Sequence, residues 1–292
     1  MSAKQHVGLI GAGLMGHGIA LNILKHGHTL GFLLHPGNQP TDDLIAGGAT
    51  PRKTSAEVAA HADVVILCVT GTPEVEDVMF RPDGLLAGLK PGTMVIDCST
   101  AIPASTRVVA ARVAEKGGHY LDAAMTRTPK EAAEGRLNLI VGAPDELFQQ
   151  ALPMLRCFAE NIAHAGGVST GHQLKLLHNF VSLGFSAVLA EATAAARRAG
   201  VPAEIFTDVL GKGGGGGVIF ERLKPYILGD DSSAFTFTLA NCAKDTGYYL
   251  ALTENLGASN TLAQAAKAIY ADAVAQGYEA RPAPELIAVL SR

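Results

Sequence analysis

The sequence predicts an α/β fold, a doubly wound sheet followed by an all-α domain that a long helix begins. Three observations carry this expectation. Short apolar, β-rich runs alternate with helical stretches through the first half; a G-x-G-x-x-G turn follows the first run; and no convincing strand occurs after about Thr170. Alternation of that kind builds a mostly parallel sheet with helices on both faces and right-handed crossovers.

Taken in order, HVGLIG (6–11) reads as a strand, 14–25 as a helix and 30–34 as a second strand. Residues 62–69 and 93–97 give two more strands, each nearly continuous in apolar residues, as suits parallel strands buried on both faces. Helical segments are expected near 41–47, 55–60, 73–80 and 103–115, with further strands over 118–122 and 137–142. Residues 170–199 contain no proline, place apolar side chains at helical spacing and end at Gly200, which predicts one helix of about thirty residues, ~45 Å long. The glycine-rich loop near 163–168 then separates a domain over 1–165 from a helical domain over 166–292, and no internal repeat appears.

Composition narrows the class. Hydrophobic residues make up 48% and charged residues 17%, a balance that suits a packed protein and not a disordered one. The formal net charge is -4 with no long basic run, so neither a nucleic-acid surface nor a polybasic membrane patch is expected. Cys68, Cys98, Cys157 and Cys242 are far apart and read as free thiols of a reducing cytosol. The ten histidines show no metal-ligand spacing, so no metal is expected. The first residues lack the pattern of a signal peptide, and no run approaches the ~18 apolar residues of a membrane span. A soluble cytoplasmic protein is the expectation.

The turn Gly11-Ala12-Gly13-Leu14-Met15-Gly16 ends the first strand and opens a helix. In such a turn Gly11 makes the tight bend, Gly13 allows close approach to a pyrophosphate, and Gly16 lets helix and strand pack. The helix start presents free N–H groups to the anion, so a dinucleotide is the predicted cofactor. The end of the second strand reads Leu34-His35-Pro36-Gly37-Asn38, with no acid until Asp42 for the ribose hydroxyls of NAD and no arginine for a 2′-phosphate. His35 is the nearest side chain able to contact that phosphate, and the balance leans to NADP over NAD.

Lys175, His178 and Asn179 stand at i, i+3 and i+4 of the predicted long helix and so share a face. A lysine among apolar neighbours beside a cleft can exchange protons near neutral pH, and an amide one turn on can hold a substrate oxygen. The alternative is a lysine that simply reaches solvent.

With these residues in place, the chain resembles the β-hydroxyacid dehydrogenase family, which includes 3-hydroxyisobutyrate dehydrogenases and tartronate semialdehyde reductases and is 6-phosphogluconate dehydrogenase-like. The resemblance covers nearly the whole chain in order. VGLIGAGLMGHGIALNI is similar to the family's cofactor fingerprint, and Asp97-Cys98-Ser99-Thr100 to its D-x-S-T element. Asp122-Ala123-Ala124-Met125-Thr126-Arg127-Thr128 stands where the substrate motif D-A-P-V-S-G-G occurs. Thr170 to Asn179 resembles G-x-x-x-K-x-x-N-N, and Ala243-Lys244-Asp245 resembles a late K-D pair.

That resemblance implies a Rossmann-type domain and an all-helical domain, a substrate site at their interface, and assembly as homodimers or homotetramers through the helical part. It implies Lys175 as acid/base, Asn179 as its assistant, and a dinucleotide held by the glycine turn with Val69, Thr70, Thr100 and Lys244. Thr126, Arg127, Thr128 and His178 would hold a small anionic hydroxyacid or semialdehyde. Two departures bear on the substrate. Arg127 replaces a glycine and offers a charged fork for an oxyanion, as in the family's sulfolactaldehyde reductases; its alternatives are solvent or pairing with Glu131. His178 replaces the first asparagine. Imine reductases of the family usually lack the lysine, so Lys175 argues for carbonyl and alcohol chemistry, and a non-catalytic dinucleotide-binding module would not need it. The glycines 213–217 read either as a mobile loop closing on substrate or as a flexible connection.

Overall fold

Apolar runs rich in β-branched residues form strands wherever helices can cover both of their faces. The computed structural model describes residues 4–292, and its chain divides into a unit ending at Lys175 and a second from Leu176 to Arg292. In the first unit β1 (His6–Ile10), α1 (Gly16–Lys25), β2 (Thr29–Leu33), α2 (Asp42–Ala46), β3 (Thr50–Arg52), α3 (Ser55–Ala59) and β4 (Val64–Leu67) come first. There follow α4 (Thr72–Phe80), α5 (Leu85–Gly88), β5 (Met94–Asp97), α6 (Pro103–Glu115), β6 (His119–Thr126), α7 (Pro129–Ala133), β7 (Leu137–Gly142), α8 (Asp145–Leu155) and β8 (Ala159–Gly166). The sheet order is β3-β2-β1-β4-β5-β6-β7-β8, and only the β6–β7 pair is antiparallel.

Successive strand residues point to opposite faces, which gives this sheet two cores. Val7, Leu9, Val64, Ile66 and Ile96 face one side with Ile19, Ile23 and Phe158. Ile10, Val65, Leu67 and Val95 face the other with Val58, Val75 and Met79. Two strands escape the sequence pattern. β3 has three residues with Pro51 at its centre, and β8, with alternation weak and several positions exposed, runs to Gly166 across the start of the expected loop at 163–168.

α9 (Thr170–Arg198) is the predicted long helix, ending within a residue of expectation. By length and composition alone it could cross a membrane, with a window of mean hydropathy 1.3, so the expectation of no such segment is corrected. Ser182, Ser186 and Thr193 break its apolar run, and the Ser186 and Thr193 hydroxyls donate to carbonyls one turn back. Its Leu183, Ala187, Leu189 and Ala190 are core residues of the second unit, as in a packed helix of a globular domain. That unit continues with α10 (Ala203–Lys212), α11 (Val218–Gly229), α12 (Leu239–Leu256), α13 (Thr261–Ala275), a 3₁₀ turn (Ala283–Glu285) and α14 (Leu286–Leu290). Its core gathers around Phe220, Leu223, Tyr270 and Leu286, and the buried Tyr270 hydroxyl donates to the Leu183 carbonyl at 2.8 Å. The glycine run turns the chain from α10 to α11, with Gly217 at φ +136° beginning α11.

One polar residue ties α1 to α7. A Cβ on Gly18 would lie 2.6 Å from the backbone of α7, so only glycine permits the approach. Asn22, 3% exposed, then donates from Nδ2 to the carbonyls of Gly18, Ala132 and Ala133 at 2.9, 2.9 and 3.1 Å. Asn22→Ala removes the buried amide's hydrogen bonds to α7 and should lower stability by about 1–3 kcal/mol, read from the urea midpoint at unchanged slope.

Candidate functional site

Steric limits dictate the glycine turn. Gly11 has φ +101° and a Cβ there would sit 2.2 Å from the Cys68 carbonyl oxygen; one on Gly16 would sit 1.9 Å from the Gly11 carbonyl oxygen. Over Gly13, by contrast, the nearest atom is 4.0 Å away. The turn is thus packed solid beneath and open above, the cradle a pyrophosphate needs to reach the first N–H groups of α1. Ala12 is buried under it, Met15 is half-buried and Leu14 is exposed. The Gln39 N–H donates to the Ala12 carbonyl at 2.9 Å, tying the loop after β2 to the turn. In that loop Leu34 and His35 are exposed, His35 Nδ1 accepts from the Gly37 N–H at 3.0 Å, and Asn38 donates to the Leu33 carbonyl. No acid stands between Leu33 and Asp42, and Asp43 is engaged by His17 at 3.0 Å.

Val69 and Thr70 follow β4, and Thr100 follows β5, which lies beside it. Asp97 sets both ends: its Oδ1 accepts from the Ser99 N–H at 2.9 Å, its Oδ2 from the Tyr120 hydroxyl at 2.8 Å, and Ser99 Oγ accepts from the Val69 N–H at 3.1 Å. Burial, with the Asp97 charge behind it, pushes the Cys68 thiol up to about 12 and the Tyr120 hydroxyl well above its ordinary value. Burial raises the Cys98 thiol as well, so Cys68 against the turn and Cys98 in the sheet core are packing residues poor in thiolate.

The start of α9 is fixed by Asp122. This fully buried carboxylate accepts from the Ser169 N–H and the His172 N–H, each at 2.7 Å, which satisfies two orphan donors of the first turn. Burial lifts its carboxyl above the ordinary range, a rise that the charge at His172 and these amide bonds oppose. Gly142 and Gly171 make room, since a Cβ on either would meet the Asp122 carboxylate within 2.8 Å. Lys175, half-buried, comes three residues after His172, so its height along the helix axis is set by this cap.

The segment 126–128 differs from the sequence expectation. Arg127 has φ +82°, in the region that glycine favours, and its guanidinium donates to the Arg136 carbonyl and the Glu160 carboxylate. That hydrogen bond from Arg127 holds the Glu160 carboxyl below its usual value. Glu131, the partner weighed from sequence, accepts instead from the Thr128 N–H and hydroxyl at 3.0 and 2.6 Å, capping α7. Thr126 remains half-buried at the end of β6.

In the second unit His178 is exposed and Asn179 is 7% exposed. Asn179 Nδ2 donates to Asp245 Oδ2 at 2.6 Å, and its Oδ1 lies 3.0 Å from His178 Nδ1. Lys244 Nζ is 3.3 Å from Asp245 Oδ1 and 5.7 Å from the Tyr248 ring centroid. Sequence reasoning gave no role to Asp122, Glu160 or Asp245. Only Asp122 and Asp245 carried a signal, as acids inside quoted motifs.

Comparison with known proteins divides the chain just before α9. Residues 6–166 match the model for the NAD binding domain of 6-phosphogluconate dehydrogenase. Residues 169–290 match the model for the NAD-binding region of NADP-dependent 3-hydroxyisobutyrate dehydrogenase. The chain is 32% identical to 2-(hydroxymethyl)glutarate dehydrogenase of Eubacterium barkeri over 86% of its length and 83% of that protein. It is 30% identical to 3-sulfolactaldehyde reductase of Escherichia coli over 93% of its length and 91% of that protein. Its fold is similar to that of Mycobacterium tuberculosis 3-hydroxyisobutyrate dehydrogenase solved with L-serine, at TM-score 0.87 and 26% identity, covering 99% and 100% of the two chains.

Gly16→Ala forces its new methyl into the Gly11 carbonyl and opens the turn. NADPH binding, followed by nucleotide fluorescence, should weaken at least about tenfold while unfolding stays cooperative. An unchanged Kd would separate the turn from the cofactor.

Proposed function

The chain belongs to the β-hydroxyacid dehydrogenase family, and from that premise we propose that it interconverts a small anionic β-hydroxyacid and its semialdehyde with Lys175 as the proton-transfer group. That it is an NAD(P)-dependent oxidoreductase acting on CH–OH groups follows from the family itself. The observation that carries the finer reading is Lys175 one turn into a helix whose start is clamped by Asp122, with Asn179 one turn further on.

When bound, the nicotinamide supplies or accepts hydride at the carbon bearing the oxygen. The protein's own part is to hold the dinucleotide by the backbone of 11–16, with Val69, Thr70, Thr100 and Lys244 along its length. In the reducing direction Lys175 as ammonium gives its proton to the developing alkoxide and stabilises that charge; in the other it receives the hydroxyl proton as the amine. Asn179 holds the substrate oxygen. Thr126 and the neighbouring backbone hold the acid group, so that the reacting carbon is oriented. With no acid in the loop after β2, NADPH is accepted at least as well as NADH.

Lys175→Ala should reduce kcat by at least about a thousandfold while the Kd for NADPH stays within about twofold. Turnover above a few per cent of wild type would remove Lys175 from this role.

A sulfonate-bearing substrate is the second reading, favoured by Arg127 and by the similarity to 3-sulfolactaldehyde reductase. It requires the guanidinium to leave Glu160. If so, Arg127→Gly raises KM for sulfolactaldehyde about tenfold or more and Glu160→Gln lowers it, as a charge-assisted hydrogen bond demands. Unchanged KM in both variants would leave Arg127 as a brace between β6 and β8.

A further inference from the structure

The second unit contains a line of polar side chains in which each acceptor fixes the group that faces it. Asp245 on α12 is 2% exposed, and Asn179 reaches its Oδ2 at 2.6 Å. A carboxylate only accepts, so the end of the amide facing it is the NH2 group. That turns the amide oxygen toward His178 Nδ1, 3.0 Å away. The amide oxygen in turn only accepts, so Nδ1 of His178 carries the hydrogen. In the neutral ring the other nitrogen, Nε2, then carries the lone pair, on an exposed side chain.

The carboxylate keeps its charge partner. Lys244 Nζ stands 3.3 Å from Oδ1, an ion-pair distance, although Oδ1 accepts no hydrogen bond of good geometry. Asn179 is thus the side chain through which Asp245 orients its surroundings. Were residue 245 an amide, either end of Asn179 could face it and the orientation would be lost.

We infer that Asp245 is a positioning residue: through the Asn179 amide it holds His178 in the Nδ1–H tautomer, so that Nε2 selects hydroxyacid substrates carrying a hydrogen-bond donor beside the reacting carbon. The selectivity rests on the hydroxyacid reading above; the tautomer does not. A lone pair held toward the substrate rewards a hydroxyl or ammonium group and leaves a methyl in its place unmatched, which sites built for a donor reject strongly.

Long-range ¹⁵N–¹H spectra of the histidine rings in the NADPH-bound enzyme test the first step, with His178 assigned by the signals lost in His178→Gln. Wild type shows the Nδ1–H form, whereas Asp245→Asn and Asn179→Ala each show both tautomers. Steady-state kinetics test the second. The kcat/KM for glycerate relative to 3-hydroxyisobutyrate falls about tenfold in Asp245→Asn, and no further when Asn179→Ala is added. An Nε2–H tautomer in wild type overturns the inference. So does an Asp245→Asn effect that adds in full to that of Asn179→Ala, which marks a merely structural carboxylate. The spectra need no turnover, so failure of the Lys175 assignment is read separately.

Discussion

One buried carboxylate organises the first unit. Asp122 belongs by sequence to the strand β6 and by bonding to the helix α9, because both of its oxygens are spent on the N–H groups of residues 169 and 172. Taking a carboxylate out of water is costly unless it is hydrogen-bonded, and the free N–H groups and positive pole of a helix start are the compensation. The two glycines that crowd it, and the sheet strands that exclude water from it, are consequences of the same constraint. Lys175 inherits its place from this arrangement and not from contacts of its own length of helix alone.

A similar logic recurs at Asp97 and Asp245. Each is a carboxylate almost without exposure whose partners are a few directed donors. Asp97 draws together the ends of β4 and β5, the edge along which the dinucleotide is expected, and takes the Tyr120 hydroxyl from the first part of β6, while Asp245 holds an amide on α9. Acids placed this way act as geometric references: they accept only, so whatever faces them must donate. The polar interior therefore has far fewer allowed arrangements than its composition suggests.

What could be read in the sequence was whatever has a short period. The apolar runs of β1, β4 and β5, the glycine turn and the uninterrupted α9 are local patterns, and each folds where its pattern lies. β8 was missed because an exposed strand lacks both the continuous apolar run and a clean alternation, and β3 because a three-residue strand centred on proline carries no period at all. The Arg127–Glu160 pair joins residues 33 apart and the Asn179–Asp245 pair residues 66 apart, and no spacing rule connects positions so distant. The motif around 122–128 showed where chemistry was to be expected, but not that Thr128 serves as a helix cap or that Arg127 already has an acid.

The reversal between β6 and β7 has a further consequence for how this protein can change. β5 pairs with β6 only as far as Asp122, so residues 123–126 are aligned by β7 alone. Because side chains alternate across a strand, a shift of one position would exchange Thr126 for Met125 on the face it now occupies and carry Asp122 away from its helix. Point substitutions in this stretch change one side chain at a time, whereas an insertion or deletion in either strand shifts the sheet register and the anchoring of α9 together. Change that keeps the fold is thereby channelled toward exchanging residues and away from altering strand length here.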